Sequence, residues 1–423
     1  MMLKKNTLLI ILFALLTNKT IGQAEIVTKI EIVGMNKTNS KLLEKLIRLK
    51  KDMVLDSLLI EQDITRLKRL PSIANASYII FESDVERYSV RYEVEENHTL
   101  IPSGNVYTST NDEFALRIGL QEFNLTGNNI ILGGFYQYDI YHSFGFNLRA
   151  PYLFNRKWGL SGSFKNLTTQ EPVFLDNGEA TYKYNNKGFE ISGIHEIDFK
   201  NVIELGFSLF SEDYSYVFGI TATDVPLELK VNKHLIKLLY NFEDISYDYF
   251  YLEGFRSQLN LQYVGSSDLN LPPFWIGFND FTYFKKIGPL TNWASRLRLG
   301  LASNLETPFA PFSVDNNLNI RGVGNTIDRG TGSIVLNTEL RYTLWEKGWF
   351  ALQGNGFIDA GSWRNPGGEL SDFGDSQNFR VYPGIGLRFI RKTTFNAIFR
   401  IDYGYGITKN ASNGIVFGIG QYF

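Results

Sequence analysis

Glu339 and Asp359 are the residues whose type and spacing most clearly indicate a polar site in this 423-residue sequence. They lie in two consecutive segments, Gly332–Leu344 and Trp349–Gly361, in which apolar and polar residues alternate. Both acids fall on the polar side of that alternation. No nucleophile or general base accompanies them, so the chemistry that they predict is charge pairing and not bond making.

Enzyme motifs are missing from the sequence, which predicts no enzyme, no cofactor and no metal site. Its four histidines are dispersed and lack metal-ligand spacing, and no GxSxG or Walker loop is present. Gly384-Ile385-Gly386 and Gly404-Tyr405-Gly406 resemble nucleotide-binding loops, but alternate glycines in strands make room for an inward-folded loop. A net charge of −2 argues against a nucleic-acid partner. The histidines are His98, His142, His195 and His234.

From about residue 98 to 423 the alternation continues through sixteen strand candidates. Each strand with its loop takes about 20 residues, which fits the strands of a membrane β-barrel. A strand with an apolar face and a charged face suits a sheet with lipid on one side and a polar lumen on the other. The aromatic content of 15% fits aromatic girdles. A soluble sandwich or propeller is the alternative, and the long 305–331 loop fits it less well.

Residues 25–96 have a different pattern, which predicts a small β-α-α-β-β domain. A strand over Val27–Val33 precedes a helix that begins at Asn39 or Ser40 and continues to about Lys51. A second helix begins at about Ser57 and stops before Pro71. Two strands, Ala76–Phe81 and Arg87–Glu95, complete the domain.

The first residues have the pattern of a secretory signal. Lys4 and Lys5 precede the apolar run Leu8–Leu16, and a cleavage site before Gln23 is plausible. After residue 23 no stretch is apolar for long enough to form a transmembrane helix. The predicted organisation is therefore a signal peptide over 1–22, a periplasmic domain over 23–97 and a sixteen-stranded outer-membrane β-barrel over 98–423.

Several motifs give the chain a family resemblance. The N-terminal unit resembles a polypeptide-transport-associated (POTRA) domain, through Ile30–Gly34 and the run Val90–Glu96. The remainder resembles the barrel of the outer-membrane assembly superfamily, which includes BamA, TamA and the two-partner secretion transporters. The matching stretches of the barrel are Glu122–Gly127, Ile320–Gly322, Asn337–Arg341 and Phe357–Gly361.

The resemblance implies a lumen-loop site consisting of Arg321, Gly322, Glu339 and Asp359. In this family the Arg-Gly loop folds back into the lumen, and acids on the next two strands hold its arginine. A buried guanidinium is costly unless it is paired, and two carboxylates would hold it well. The chain departs from the family at Val323, where an aromatic residue is usual.

The two ends of the predicted barrel form its seam and assembly signal. The first strand candidate, Leu100–Ser109, contains Pro102 and Gly104, and proline donates no hydrogen bond to a neighbouring strand, so closure there should be weak. The last candidate places Phe417, Ile419 and Phe423 on one face. A terminal Phe423 is typical of outer-membrane proteins that are recognised for assembly, although Gln421 departs from the usual hydrophobic residue.

These features together predict an outer-membrane protein of a Gram-negative-type bacterium that inserts or translocates client polypeptides. Its clients would be unfolded outer-membrane or secreted polypeptides, bound as an added strand at the edge of the POTRA-like sheet and passed to the barrel. Outer-membrane lipid and accessory lipoproteins are further expected partners. Secretion of a dedicated partner polypeptide, or a passive pore or surface receptor, are the alternative functions.

Overall fold

The computed structural model describes nine stretches of the chain. The predicted signal peptide lies outside them. Residues 25–108, 114–175, 178–267, 271–305, 310–314, 319–323, 328–395, 397–409 and 411–423 are described.

Residues 26–96 form a small domain in which two helices pack on a three-stranded sheet. The sheet order is β1-β3-β2, with β1 parallel and β2 antiparallel to β3. The order of elements along the chain is the predicted β-α-α-β-β. The elements are β1 Ile26–Val33, α1 Ser40–Leu46, α2 Ser57–Lys68, β2 Ile73–Asp84 and β3 Arg87–Glu96.

Helix α1 is shorter than the sequence predicts, because it ends at Leu46 and not near Lys51. The backbone N–H groups of Arg48 and Leu49 donate to the buried Asp63 carboxylate of α2, at 2.8 and 3.0 Å. That carboxylate satisfies donors that a longer helix would have bonded internally. The apolar faces of both helices meet the inner face of the sheet and form the core of the domain.

Sixteen further strands form one antiparallel sheet that curves into a barrel. The sixteen-stranded prediction is confirmed. Between β14 and β17 lie two short strands, β15 (Phe312–Val314) and β16 (Asp328–Gly330), which pair with each other. The barrel strands are β4 Leu100–Thr108, β5 Phe114–Leu125, β6 Ile130–Asp139, β7 Tyr141–Ala150, β8 Trp158–Leu175, β9 Gly178–Glu196, β10 Asn201–Gly219, β11 Glu228–Asp248, β12 Tyr251–Ser266, β13 Phe274–Lys286, β14 Thr291–Ala302, β17 Gly332–Lys347, β18 Phe350–Arg364, β19 Phe379–Arg391, β20 Ile398–Tyr405 and β21 Asn413–Ile419.

The alternation along these strands separates an apolar outer face from a polar inner face. Large apolar side chains such as Leu336, Leu340 and Ile385 are exposed on the outside. Their neighbours in the sequence, among them Glu339 and Arg341, are buried inside. An apolar band of this extent on a closed sheet suits contact with lipid. Within the described residues, no helix has the length and apolar character needed to cross a membrane.

Four consecutive strands, β8 to β11, are much longer than the roughly 9–11 residues that a membrane strand requires. They contain 18 to 21 residues.

Antiparallel strands alternate in direction, so the turns at 126–129, 151–157, 197–200 and 249–250 lie at one end of the barrel, where the small domain is attached. The strand ends on either side of Arg321, the end of β14 and the start of β17, lie at the opposite end of the barrel.

Strands β4 and β21 are the two ends of the sheet order and lie side by side. Among the described residues, strand pairing joins every other neighbour in the barrel but not these two. A cavity of about 220 Å³ separates them, lined by Ser103 and Gly104 of β4 and by Val416–Ile419 of β21. The sheet is therefore almost closed, with one seam between its first and last strands.

The last residues differ from the predicted strand Ile415–Phe423. Strand β21 ends at Ile419, and Gly420 has a φ of 93°, a left-handed conformation that breaks the strand. Phe417 and Ile419 are exposed on the outer face, as the alternation requires. Phe423 instead packs inside the barrel against Ile245, Phe284 and Ala294, so it does not share their face.

Candidate lumen-loop site

The segment Asn319–Val323 lies inside the barrel, with every residue buried. Ile320 and Val323 pack with Val335 and Trp363 of the barrel wall. Val323, the residue at which the sequence departs from the family that it resembles, is fully buried. An aliphatic side chain therefore fills this part of the lumen and holds the loop beside the wall.

Arg321 meets both of the acids that the alternation turns inward. Its backbone N–H and Nε donate to Asp359 Oδ2 at 3.0 and 2.8 Å, and Nη2 donates to Asp359 Oδ1 at 2.9 Å. Nη1 donates to Glu339 Oε2 at 2.7 Å. The side chains of all three residues are fully buried. Charge-assisted bonds of this kind are short and strong, and they fix a planar guanidinium in one orientation.

Two aromatic rings lie against the same guanidinium. The Arg321 guanidinium carbon is 3.6 Å from the ring centre of Phe357 and 4.4 Å from that of Tyr422. Phe357 comes from β18, and Tyr422 comes from the segment that follows Gly420. The tail of the chain therefore closes over the loop and helps to desolvate its arginine.

The acids hold more cations than the sequence predicts. Glu339 also accepts from Arg341 Nε at 2.5 Å and from Arg388 Nη2 at 2.9 Å. A third acid, Asp402 of β20, accepts from Arg400 Nη1 at 2.8 Å and lies 3.5 Å from Arg321 Nη1. The sequence analysis did not single out Arg388, Arg400 or Asp402, although all three occupy inward positions beside the strand glycines that it noted.

Glycines on β19 and β20 provide the space for this cluster. A Cβ atom added to Gly404 would lie 2.2 Å from the backbone oxygen of Arg321, and one on Gly322 would lie 2.6 Å from the backbone oxygen of Gly404. Gly322 also has a φ of 95°, which favours glycine. A Cβ on Gly386 would lie 2.2 Å from Asp402 Oδ1. The strand glycines therefore allow the loop backbone and one of the acids to approach the wall, as the sequence indicates.

The small domain contacts the barrel through two ion pairs, Arg66–Glu196 and Arg69–Glu243, and two cation–π contacts. Arg66 of α2 donates to both carboxylate oxygens of Glu196, at 2.9 and 2.7 Å, and both side chains are largely buried. The guanidinium carbon of Arg69 is 4.3 Å from the ring centre of Phe199, and that of Arg66 is 5.4 Å from it. Tyr152 of the next turn packs against the core of the small domain. These contacts fix the helical face of the domain on the barrel turns.

A second set of contacts uses the loop that follows β1. Asn39 N donates to Gly127 O at 2.8 Å, and Asn124 Nδ2 donates to Thr38 Oγ1 at 3.1 Å. The stretch Glu122–Gly127, noted for its family resemblance, is thus a docking turn for the small domain. Glu96 organises the loop, because its carboxylate accepts from the N–H groups of residues 36–38 at 2.6 to 3.3 Å.

The pKa of Glu96 follows from this arrangement. Burial raises the pKa of the carboxyl, but hydrogen bonds from Thr38, Lys37 and Asn36 outweigh burial. The net effect is a pKa below the usual glutamate value.

The two edges of the small sheet differ in what covers them. Residues 53–55 bond to the start of β1: Val27 N donates to Met53 O at 2.9 Å, and Leu55 N donates to Glu25 O at 2.8 Å. Strand β2 is the other edge, and within the described residues no strand pairs with its outer side. Ile79 and Phe81 of β2 are exposed. An unpaired apolar edge can accept an additional strand.

Comparisons with known proteins give the fold and little else. No protein-family model and no curated protein matches the chain. Among solved structures, BamA from Haemophilus ducreyi lacking POTRA domains 1–3 is 16% identical with a TM-score of 0.56, and the match covers 94% of this chain and 84% of that chain. CdiB from Escherichia coli is 12% identical with a TM-score of 0.61, covering 94% and 76%.

CdiB from Acinetobacter baumannii is also similar, at 13% identity and a TM-score of 0.58, covering 94% of this chain and 74% of that chain. Identities this low establish shared architecture only. The chain therefore has the fold of the BamA and CdiB barrels, with a POTRA-like domain before sixteen strands.

Proposed function

We propose that this chain is an outer-membrane protein that inserts or translocates client polypeptides. The observation that carries the proposal is the seam between β4 and β21, which is unpaired in the described part of a barrel whose other neighbouring strands are all joined. Pro102 lies in β4, and proline provides no N–H for a neighbouring strand. Two adjacent strand edges that do not pair with each other can each pair with a client strand.

The small domain would bind the client first. Strand β2 offers backbone donors and acceptors along an uncovered edge, with Ile79 and Phe81 available for alternate side chains of an extended peptide. Because contacts such as Arg66–Glu196 fix this domain on the barrel, a bound strand would be held at the periplasmic end. The clients are unfolded outer-membrane or secreted polypeptides, and accessory lipoproteins are further proposed partners.

Photo-crosslinking tests this proposal. A photoreactive amino acid at Ser77 or Ile79 on β2 should crosslink to client polypeptides in cells. The same group at Lys51, an exposed residue of the loop that follows α1, is the control and should not. Equal crosslinking of the same polypeptides from β2 and from Lys51, or no crosslinking from β2, would show that the β2 edge does not bind clients.

Secretion of a dedicated partner polypeptide through the lumen is a second candidate function. It is supported by a cavity of about 890 Å³ that the consecutive strands β8 to β13 line. Its wall carries paired charges, including Lys233 Nζ to Glu212 Oε2 at 2.5 Å, and suits a hydrated polar chain. Conductance measured with and without residues 305–331 separates the alternatives. A large gain in conductance when residues 305–331 are deleted supports a plugged transporter. High conductance of the intact chain, with little change on deletion, indicates a passive pore.

A further inference from the structure

The buried cluster around Glu339 contains more positive than negative charge. All seven of its charged side chains are 9% exposed or less. Arginine remains protonated in proteins, so each guanidinium contributes a full charge. Among the described residues of this cluster, four cations and three carboxylates leave one positive charge without a counter-charge. The cations are Arg321, Arg341, Arg388 and Arg400, and the carboxylates are Glu339, Asp359 and Asp402.

Unused hydrogen-bond donors show where the surplus positive charge lies. Among the described residues, Nη1 and Nη2 of Arg341 are both buried and have no hydrogen-bond partner. Nη1 of Arg388 makes no hydrogen bond either, and its nearest carboxylate oxygen is Asp402 Oδ1 at 4.0 Å. The two guanidiniums flank one oxygen, because Arg341 Nε and Arg388 Nη2 both donate to Glu339 Oε1, at 2.5 and 2.9 Å. The unused donors of Arg341 therefore lie beside a second cation, Arg388, in a region closed to solvent.

We propose that this space is a binding site for a small monovalent inorganic anion of the chloride class. A water molecule could accept from Arg341, but it could not neutralise the surplus charge, which is costly to bury alone. The rings of Phe284 and Phe423 lie 5.9 and 5.7 Å from the Arg341 guanidinium carbon. These rings enclose the cation and favour a compact ion over a polyatomic one.

Gln353 supplies a further donor. Its Nε2 lies 3.1 Å from Thr343 Oγ1, and its Oε1 is buried without a partner. A hydroxyl both donates and accepts, so reversing the amide retains the bond to Thr343 and turns the NH₂ group into a donor. Gln353 is the cross-strand partner of Arg388, so the anion site consists of Arg341, Arg388 and Gln353. It stabilises the barrel independently of any client.

The first test measures unfolding of the full chain, refolded in detergent, by its heat-modifiable gel mobility. Sodium chloride and sodium gluconate are compared at equal ionic strength, because gluconate is too large for the site. An ion that binds only the folded state stabilises it by mass action. We expect the midpoint temperature of unfolding to be a few degrees higher in chloride than in gluconate. Once chloride saturates the site, this midpoint should continue to rise with the logarithm of the chloride concentration. Equal midpoints in the two salts would overturn the proposal.

Substitutions separate this site from general salt effects. Arg341→Met removes the surplus charge and should abolish the difference between chloride and gluconate. Arg298→Met is the matched control, because Arg298 is a lumen arginine paired with Asp280 at 2.6 and 2.5 Å, and its variant should retain the difference. A difference that persists in Arg341→Met would refute the site.

Crystals of the unsubstituted chain in sodium bromide provide a readout that does not depend on the folding of a variant. An anomalous peak within hydrogen-bonding distance of Arg341 Nη1 or Nη2 is expected. Water in that position without a bromide peak contradicts the proposal. So does a bromide peak combined with equal midpoints in chloride and gluconate, since it would mark an adventitious ion only.

Discussion

Arg321 donates to Asp359 from its backbone and from its side chain at once. The backbone N–H and Nε share Oδ2, at 3.0 and 2.8 Å, while Nη2 reaches Oδ1 at 2.9 Å. One carboxylate on β18 therefore fixes both the path of the loop and the orientation of its guanidinium. Glu339 holds only the side chain, through Nη1. Asp359 is thus the acid on which the position of the loop most depends.

Asp359→Asn should destabilise the barrel by about 3–5 kcal/mol, because it leaves part of a buried guanidinium unpaired. Arg321→Ala should have a comparable effect, since it strands the Asp359 carboxylate, whereas Glu339 retains Arg341 and Arg388. The midpoint of heat-modifiable gel mobility and the free energy of unfolding in urea measure the change. Asp213→Asn is the control: Asp213 pairs with Lys230 at 3.6 Å on an exposed surface, where ion pairs contribute at most about 1 kcal/mol. Equal effects of Asp213→Asn and Asp359→Asn would contradict the expectation.

Gly404→Ala should displace the loop without changing any charge. The added methyl group would lie 2.2 Å from the Arg321 backbone oxygen, so the loop or β20 must shift. Overpacking of this kind typically costs about 1–3 kcal/mol. The free energy of unfolding should fall, and single-channel conductance should become more variable. Gly356→Ala is the matched control, because nothing lies within 4 Å of a Cβ at Gly356. Unchanged positions of both the loop and β20 in the crystal structure of Gly404→Ala, with an unchanged free energy of unfolding, would contradict the prediction.

Much of this arrangement follows from the sequence alone. Strict alternation places Glu339 and Asp359 inside because successive side chains of a strand point to opposite faces. The inward cations Arg388 and Arg400 follow the same rule, and Arg400 contacts Asp402 because the two residues share one face of the same strand. The contact between Arg388 and Glu339 crosses β18, so it depends on the register of three strands, which alternation alone does not give.

The tail of the chain shows where pattern reasoning fails. Ile415–Ile419 alternates as predicted, and the same period extended to Phe423 would place that residue outside. Gly420 ends the strand because its left-handed φ turns the backbone away from the sheet. Tyr422 and Phe423 then gain contact with lumen arginines, at 4.4 Å for Arg321–Tyr422 and 5.7 Å for Arg341–Phe423. A glycine at one position thus overrides the alternation.

Loss of the Arg66–Glu196 ion pair should release the small domain from the barrel without unfolding either part. Glu196→Ala leaves a largely buried guanidinium unpaired, so the contact between α2 and the barrel turn should weaken. A protease of broad specificity such as proteinase K should then cleave near residue 97 faster than in the unsubstituted chain, while heat-modifiable mobility is retained. The control is Lys51→Ala, an exposed substitution in the same domain, which should be cleaved at the rate of the unsubstituted chain. Reversing the pair, with Arg66→Glu and Glu196→Arg together, should restore part of the protection. Unaltered cleavage in Glu196→Ala would show that the other contacts suffice.

Docking of the small domain should also weaken in acid through Glu96. Its pKa is lowered in the folded chain, so its contribution is complete above the unfolded value of about 4.3 and is lost as pH falls through the lower folded value. Protonation removes an acceptor for residues 36–38, and Thr38 bonds to the docking turn through Asn124. Cleavage near residue 97 by a protease active in acid should therefore accelerate as the pH falls below about 4.3. The Glu96→Gln variant should be cleaved faster than the unsubstituted chain at pH 7. The cleavage rates of the two chains should converge at low pH, because neither then has a negatively charged carboxylate at position 96. A gap between them that is the same at both pH values would assign the pH dependence to another group.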